Sequence, residues 1–170
     1  FIPTTGEAFG PWYPVNQEKI IGLIYYYVLL TGDRAFLDQP LNGRTILEQV
    51  IEHALVRDDL SKSVDLVDYG PSNSHLELRR GYPYNHVMPD LNGRRCRNYV
   101  MAADLADLAG KPAPELRQRA ADLKQLLRDK LWNPDVNWFL FLDGEGAKNI
   151  RYTVQEFKLL SGPALDPDQE

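Results

Sequence analysis

The sequence predicts an all-α fold built from stacked helical hairpins, and three observations carry that prediction. First, a unit repeats: a densely apolar or small-residue helix ends at Thr31-Gly32 or at Ala109-Gly110, a short connection follows, and a helix with a single apolar stripe comes next. Second, the stripes have helical spacing, as in Leu116, Ala120, Leu123, Leu127 and Leu131. Third, 170 residues that are 44% hydrophobic and 25% charged suffice for one globular domain with a core, so residues 1–170 are taken as one domain.

Each element has a local reason. Residues 1–14 hold Pro3, Gly6, Gly10, Pro11 and Pro14 and read as a loop that carries Phe9, Trp12 and Tyr13. A helix follows over about 15–30. Its apolar run 20–30 spans eleven residues, too short to cross a bilayer, which takes ~20, and apolar on so many sides that neighbours must cover most of it. Gly32 suits the left-handed position that stops it. Residues 42–57 form a second helix, with Ile46, Leu47, Val50, Ile51, Ala54 and Leu55 inward and Glu48, Gln49, Glu52 and His53 outward. A long loop rich in Gly, Pro, Asn and Ser runs over 58–90. Asp90 reads as the N-cap of a third helix that ends at Gly110, and Pro112 and Pro114 open a fourth. Trp138 to Leu142 and the Gly144/Gly146 turn suggest a small β-hairpin near 138–148, before a fifth helix over about 153–160.

A net charge of −5 without a long Lys/Arg cluster gives no footprint for nucleic acid or an anionic membrane surface as a main activity. The single cysteine, Cys96, excludes an intrachain disulfide framework and a Cys-rich zinc site, leaves the compartment open, and reads as a buried small hydrophobe. His75 and His86 lack ligand spacing, so no metal is expected. No nucleotide or nucleophile-elbow motif occurs, and no cofactor is implied.

If the first members of the hairpins run parallel, the loops that precede them emerge at one end: residues 1–14, 58–90 and 132–152. These loops hold Trp12, Tyr13, Asp65, Asp68, Tyr69, Asn73, His75, Glu77, Tyr82, Tyr84, Asn85, His86, Trp138 and Asp143, whereas the opposite loops are short and plain. That asymmetry marks a ligand face. Aromatic rings beside Asn, Gln and carboxylates suit a carbohydrate, the rings stacking on C–H faces and the short polar groups binding hydroxyls. The alternative is that these aromatics only pack down a long loop. In the segment from Leu66 to Leu78, an acid flanked by apolar residues can have its pKa raised enough to serve as a general acid. Asp68 fits better than Asp65, Glu77 competes although Arg79 and Arg80 would keep it ionised, and either acid could instead be a loop or capping carboxylate.

The order Pro89-Asp90-Leu91-Asn92, then Ala102 to Gly110, then Ala121-Asp122-Leu123 to Leu131-Trp132-Asn133-Pro134, together with the turn Leu30-Thr31-Gly32-Asp33-Arg34-Ala35-Phe36-Leu37, resembles the six-hairpin (α/α)6-toroid glycosidases. These include trehalase, family 63 α-glucosidases and mannosylglycerate hydrolases, and the similarity spans about residues 10–160. It implies part of an (α/α)6 toroid and an inverting, exo-acting glycoside hydrolase. Asp68 occupies the place of the general acid, which favours it over Glu77, with Val67 standing where the family usually has tryptophan. The resemblance also puts Asn16 and Gln17, after Trp12 and Tyr13, at a sugar-contacting helix start, and Tyr69, Asn73, Glu77 and His86 join them as candidate substrate contacts.

No segment matches the family's general base. Twelve helices of ~10–14 residues with ~4–6-residue connections need roughly 170–240 residues before any active-site loop. About five helices are expected here, so the chain reads as an internal fragment that begins at Phe1 and is completed by the rest of a polypeptide or by another chain. A non-catalytic helical-repeat module that binds sugar or protein, and an epimerase or glycoside phosphorylase on the same toroid, are the competing readings.

Overall fold

The computed structural model describes residues 14–56, 64–71 and 84–165. These are mostly helical, with small antiparallel β-hairpins attached. Helix α1 (Val15–Thr31) stops at Gly32, whose φ of 71° is the expected left-handed cap. A 3-10 turn (Arg34–Asp38) and a two-stranded hairpin, β1 (Pro40–Leu41) with β2 (Arg44–Thr45), lead into α2 (Ile46–Leu55). That helix starts four residues later than expected. Thr45 and Glu48 form a reciprocal capping box that fixes its first turn, and residues 40–45, expected to belong partly to the helix, pair as strands instead.

Helix α3 (Pro89–Leu108) is the centre of the molecule and is covered on nearly every side from Pro89 to Ala106. Its N-cap is Met88, not Asp90: Pro89 takes the first helical position, and Asp90 falls inside the first turn, fully buried. Helix α4 (Pro114–Leu131) lays the expected stripe Leu116, Ala120, Leu123, Leu127 and Leu131 against α3. Three short strands follow in the order β3 (Trp132–Asn133), β4 (Trp138–Leu142) and β5 (Lys148–Ile150), with Trp132 opposite Phe139 and Phe141 opposite Asn149. The expected fifth α-helix is a 3-10 segment (Glu156–Ser161). Gly93 lets it close on α3, because a methyl group at that position would overlap the Leu159 side chain.

Side-chain contacts give the helix directions. Gln17 donates to the carbonyls of His53 and Ala54, so the start of α1 lies by the end of α2. Cys96 reaches the Ala120 carbonyl while Arg117 binds Asp104, so α3 and α4 are antiparallel. Glu18 meets Arg94 and Arg97, and Tyr25 meets Asp104, so α1 and α3 run parallel and their N-termini share one end. The 3-10 segment meets α3 there, Gln155 accepting from Arg94 and Glu156 lying against Asp90.

The apolar run of α1 is covered on one side only. Ile21 and Val28 are buried, but Leu23 is 74% and Leu30 83% exposed. The last segment matches it, with Tyr152, Val154 and Phe157 all open to solvent. Among the described residues, no helix is long and apolar enough to cross a membrane.

Candidate functional site

Asp68 is carried by an irregular segment that α3 holds by its own side chains. The Asn92 amide acts as a short strand: its oxygen accepts from the Val67 N–H at 2.8 Å, and its nitrogen donates to the carbonyls of Val67 and Met88. Buried Arg95 donates to the Asp65 carbonyl at 2.8 Å and to the Asn92 oxygen at 2.9 Å. The next two residues pair with the segment before α3, Tyr69 N–H to the His86 carbonyl and His86 N–H to the Gly70 carbonyl, each at 3.0 Å. Val87 in turn exchanges two backbone hydrogen bonds with Leu142 of β4, which brings Asp143 and Gly144 over His86.

Asp68 and His86 therefore meet. The imidazole Nδ1 lies 3.0 and 3.1 Å from the two carboxyl oxygens, and the Gly70 N–H donates to Oδ1 at 2.7 Å. The Asp68 side chain is 53% exposed and the His86 side chain 18%. The expectation of a raised pKa is overturned. Partial burial pushes the carboxyl up, but the Gly70 N–H, the His86 hydrogen bond and the His86 charge together hold it below its ordinary value. An ionised carboxylate can only accept, so Nδ1 carries the proton and donates it.

The first turns of α1 and α3 also hold a buried polar cluster that the sequence did not predict. Tyr84 is fully buried and donates to Asp90 at 2.8 Å, while its ring edge meets Phe141 at 5.5 Å between centroids. Arg94 pairs with Glu18 and approaches Asp90, and Arg97 reaches the other Glu18 oxygen at 3.1 Å. Burial pushes the Glu18 carboxyl up, but Arg94 and Lys19 outweigh it and keep it below the usual range. Glu156 is the opposite case. It is 4% exposed, no described group makes a well-formed hydrogen bond to either oxygen, and burial followed by the Asp90 charge drives it to about 9, with Tyr84 opposing. At neutral pH this acid holds its proton. Three arginines within four positions of an inner helix were the signal that buried carboxylates would meet it.

Of the residues expected to bind substrate, Tyr69 and His86 come together with Asp68. Tyr69 also packs against Tyr84, Met88, Leu91 and Phe141. Gln17 is 3% exposed and its amide is spent on α2 carbonyls, which makes it a clamp between helices, not a sugar contact. Asn16 stands exposed in the first turn of α1. Trp12, Tyr13, Asn73, His75, Glu77 and Tyr82 lie outside the described residues. Asp65 turns away, accepting from its neighbour Leu66 and facing Lys130. Asp143 ties up its own turn by accepting from Glu145, Ala147 and Asn149. Trp138 donates to the Arg151 carbonyl and meets the Phe157 ring at 5.8 Å. Cys96 is buried, and burial holds its thiol protonated with a pKa of about 12.

A groove of about 370 Å³ between α1 and α2 is lined mainly by Ile20, Ile24, Leu41, Ile46 and Val56. It is apolar and distinct from the Asp68 site. Among the described residues that line it, His53 has the one titratable nitrogen, and burial lowers its pKa. Among the described residues, no group of three His, Cys, Asp or Glu side chains could hold a metal ion. Compared with family models, with curated proteins and with solved structures, the chain has no match.

Proposed function

We propose that the chain is the acid-bearing part of an (α/α)6-toroid glycoside hydrolase, with Asp68 as the reacting carboxyl. The observation that carries this reading is convergence. At the shared N-terminal end of parallel α1 and α3, a half-open carboxyl stands beside Tyr69 and His86, fixed from behind by α3. In the reaction Asp68 protonates the leaving-group oxygen, for which it must first gain a proton. A sugar seated over the carboxyl strips its remaining water, and burial already pushes its pKa upward. The base that activates water would stand ~6.5–9.5 Å away on the opposite face of the sugar ring, as inversion requires.

The toroid supplies what these residues lack. Exposed Leu23, Leu30, Val154 and Phe157 line the flanks where neighbouring hairpins would pack, each worth ~1.5–3 kcal/mol when buried. We assign their covering, and the base, to the rest of a polypeptide or to another chain. Asp68→Asn tests the reading. It should lower turnover of a glycoside by ~10²–10⁴-fold while sugar affinity changes little. Unchanged turnover sinks the hydrolase, and binding with no turnover in the unaltered protein supports the non-catalytic sugar module.

A second reading draws on the Asp68–His86 pair, since an imidazole oriented by a carboxylate also suits proton transfer at a sugar carbon. Deuterium entering the sugar's C–H positions from D₂O would favour that epimerase, and phosphate-dependent cleavage would favour a phosphorylase.

A further inference from the structure

We propose that His86 is a positioning residue for Asp68, clamped by Gly144 and by backbone pairing so that its imidazole fixes the orientation of the carboxyl. The clamp itself does not depend on what Asp68 does. Its consequence for turnover rests on the reading of Asp68 as the reacting group.

His86 has φ 59°, a left-handed conformation uncommon outside glycine and kept where the surroundings over-determine it. They do so here. Its N–H and C=O are both engaged by residues 69–70, Asn85 before it donates to the Pro71 carbonyl at 2.9 Å, and Val87 after it is bonded to β4. The ring is then confined from the far side. A Cβ placed on Gly144 would sit 2.8 Å from Nε2 and 2.9 Å from Cε1, so the imidazole occupies the space a side chain would take. The backbone of Gly144 is not in the left-handed region, so nothing but that ring demands glycine there.

The orientation that results is specific. Nδ1 spans both oxygens of Asp68 almost evenly, and the Gly70 N–H holds Oδ1 from a second direction, so the carboxyl is pinned against rotation. His86 is mostly covered and Asp68 mostly open, which puts the ring behind the carboxyl and the carboxyl toward a ligand. Among the described residues, the acidic groups that face the imidazole are Asp68 and, from the turn after β4, Asp143, whose carboxyl also feels the His86 charge. At Asp68 the Gly70 N–H and then His86 lower the carboxyl's proton affinity, and at Asp143 His86 adds only to the hydrogen bonds of its own turn.

The test is a ¹³C NMR titration of the Asp68 carboxyl in the unaltered chain and in three variants, each first checked for native helicity by circular dichroism. His86→Gly keeps the left-handed backbone and removes the ring. His86→Asn also tolerates that backbone and keeps an N–H donor in place of the imidazole. Gly144→Ala leaves both partners in place and displaces the ring. The Asp68 midpoint should rise in His86→Gly and in Gly144→Ala, and by less in His86→Asn. A midpoint unmoved in both His86→Gly and Gly144→Ala overturns the proposal. If the midpoint moves but the pH profile of turnover does not follow, the positioning role stands and the catalytic reading of Asp68 falls.

Discussion

Replacing Glu156 by glutamine should stabilise the protein, by an amount that grows with pH. Burial, then the charge of Asp90, raises this carboxyl to about 9 in the folded chain, against 4.5 for the exposed group, while Tyr84 opposes. The unfolded chain releases the proton above 4.5 and the folded chain keeps it until about 9, so across that window the folded state binds the extra proton and stability falls as pH rises. Each pH unit in the window costs about 1.4 kcal/mol, and at pH 7 the accumulated loss is about 3 kcal/mol. Glutamine has no proton to release on unfolding, and its amide can donate toward Asp90. The gain should therefore be near zero around pH 4.5 and about 3 kcal/mol at pH 7. Urea unfolding followed by tryptophan fluorescence across this range measures it. A difference between variant and wild type that does not change with pH would refute a protonated acid at this position.

Other substitutions probe the same framework. Arg94→Met leaves buried Glu18 with only Arg97 and Lys19 as cationic partners and should cost about 1.5–3 kcal/mol, part of it recovered by adding Glu18→Leu; an additive double variant would contradict the pairing. Leu123→Ala, in the centre of the α3–α4 contact, should cost about 2–5 kcal/mol in the same unfolding assay. Leu23→Lys with Leu30→Lys should leave the chain's own unfolding free energy within about 0.5 kcal/mol of wild type, because both side chains already face water, whereas a large loss would mean that the chain covers them itself.

What the sequence revealed followed from how local each cause is. The stripe on α4 was legible because one neighbour, α3, decides it, and the hairpin at β4–β5 because a short aromatic and apolar run meets a turn with two glycines. Asp90 was misread because a cap residue beside a proline looks the same whether it caps or is buried, and the choice was made by Tyr84 and Arg94. Asp68 was misread for a similar reason. Its sequence neighbours Leu66, Val67 and Tyr69 suggest an apolar setting, but its proton affinity is set by His86, which arrives from 18 residues away, and by the Gly70 N–H in the turn. The apolar run of α1 told only that a cover is needed, not that this chain supplies it on one side alone.

On the proposed function, the end of the molecule holding Asp68, Tyr69 and His86 is the face that receives a sugar. Backbone amide shifts recorded during titration with a panel of disaccharides and aryl glycosides test it most directly. The amides of Gly70, His86 and Gly144 should move together and saturably with at least one sugar, while those of Gly32 and Gly110, at the opposite end, stay still. Movement confined to the opposite end, or no saturable movement with any sugar of the panel, would contradict it.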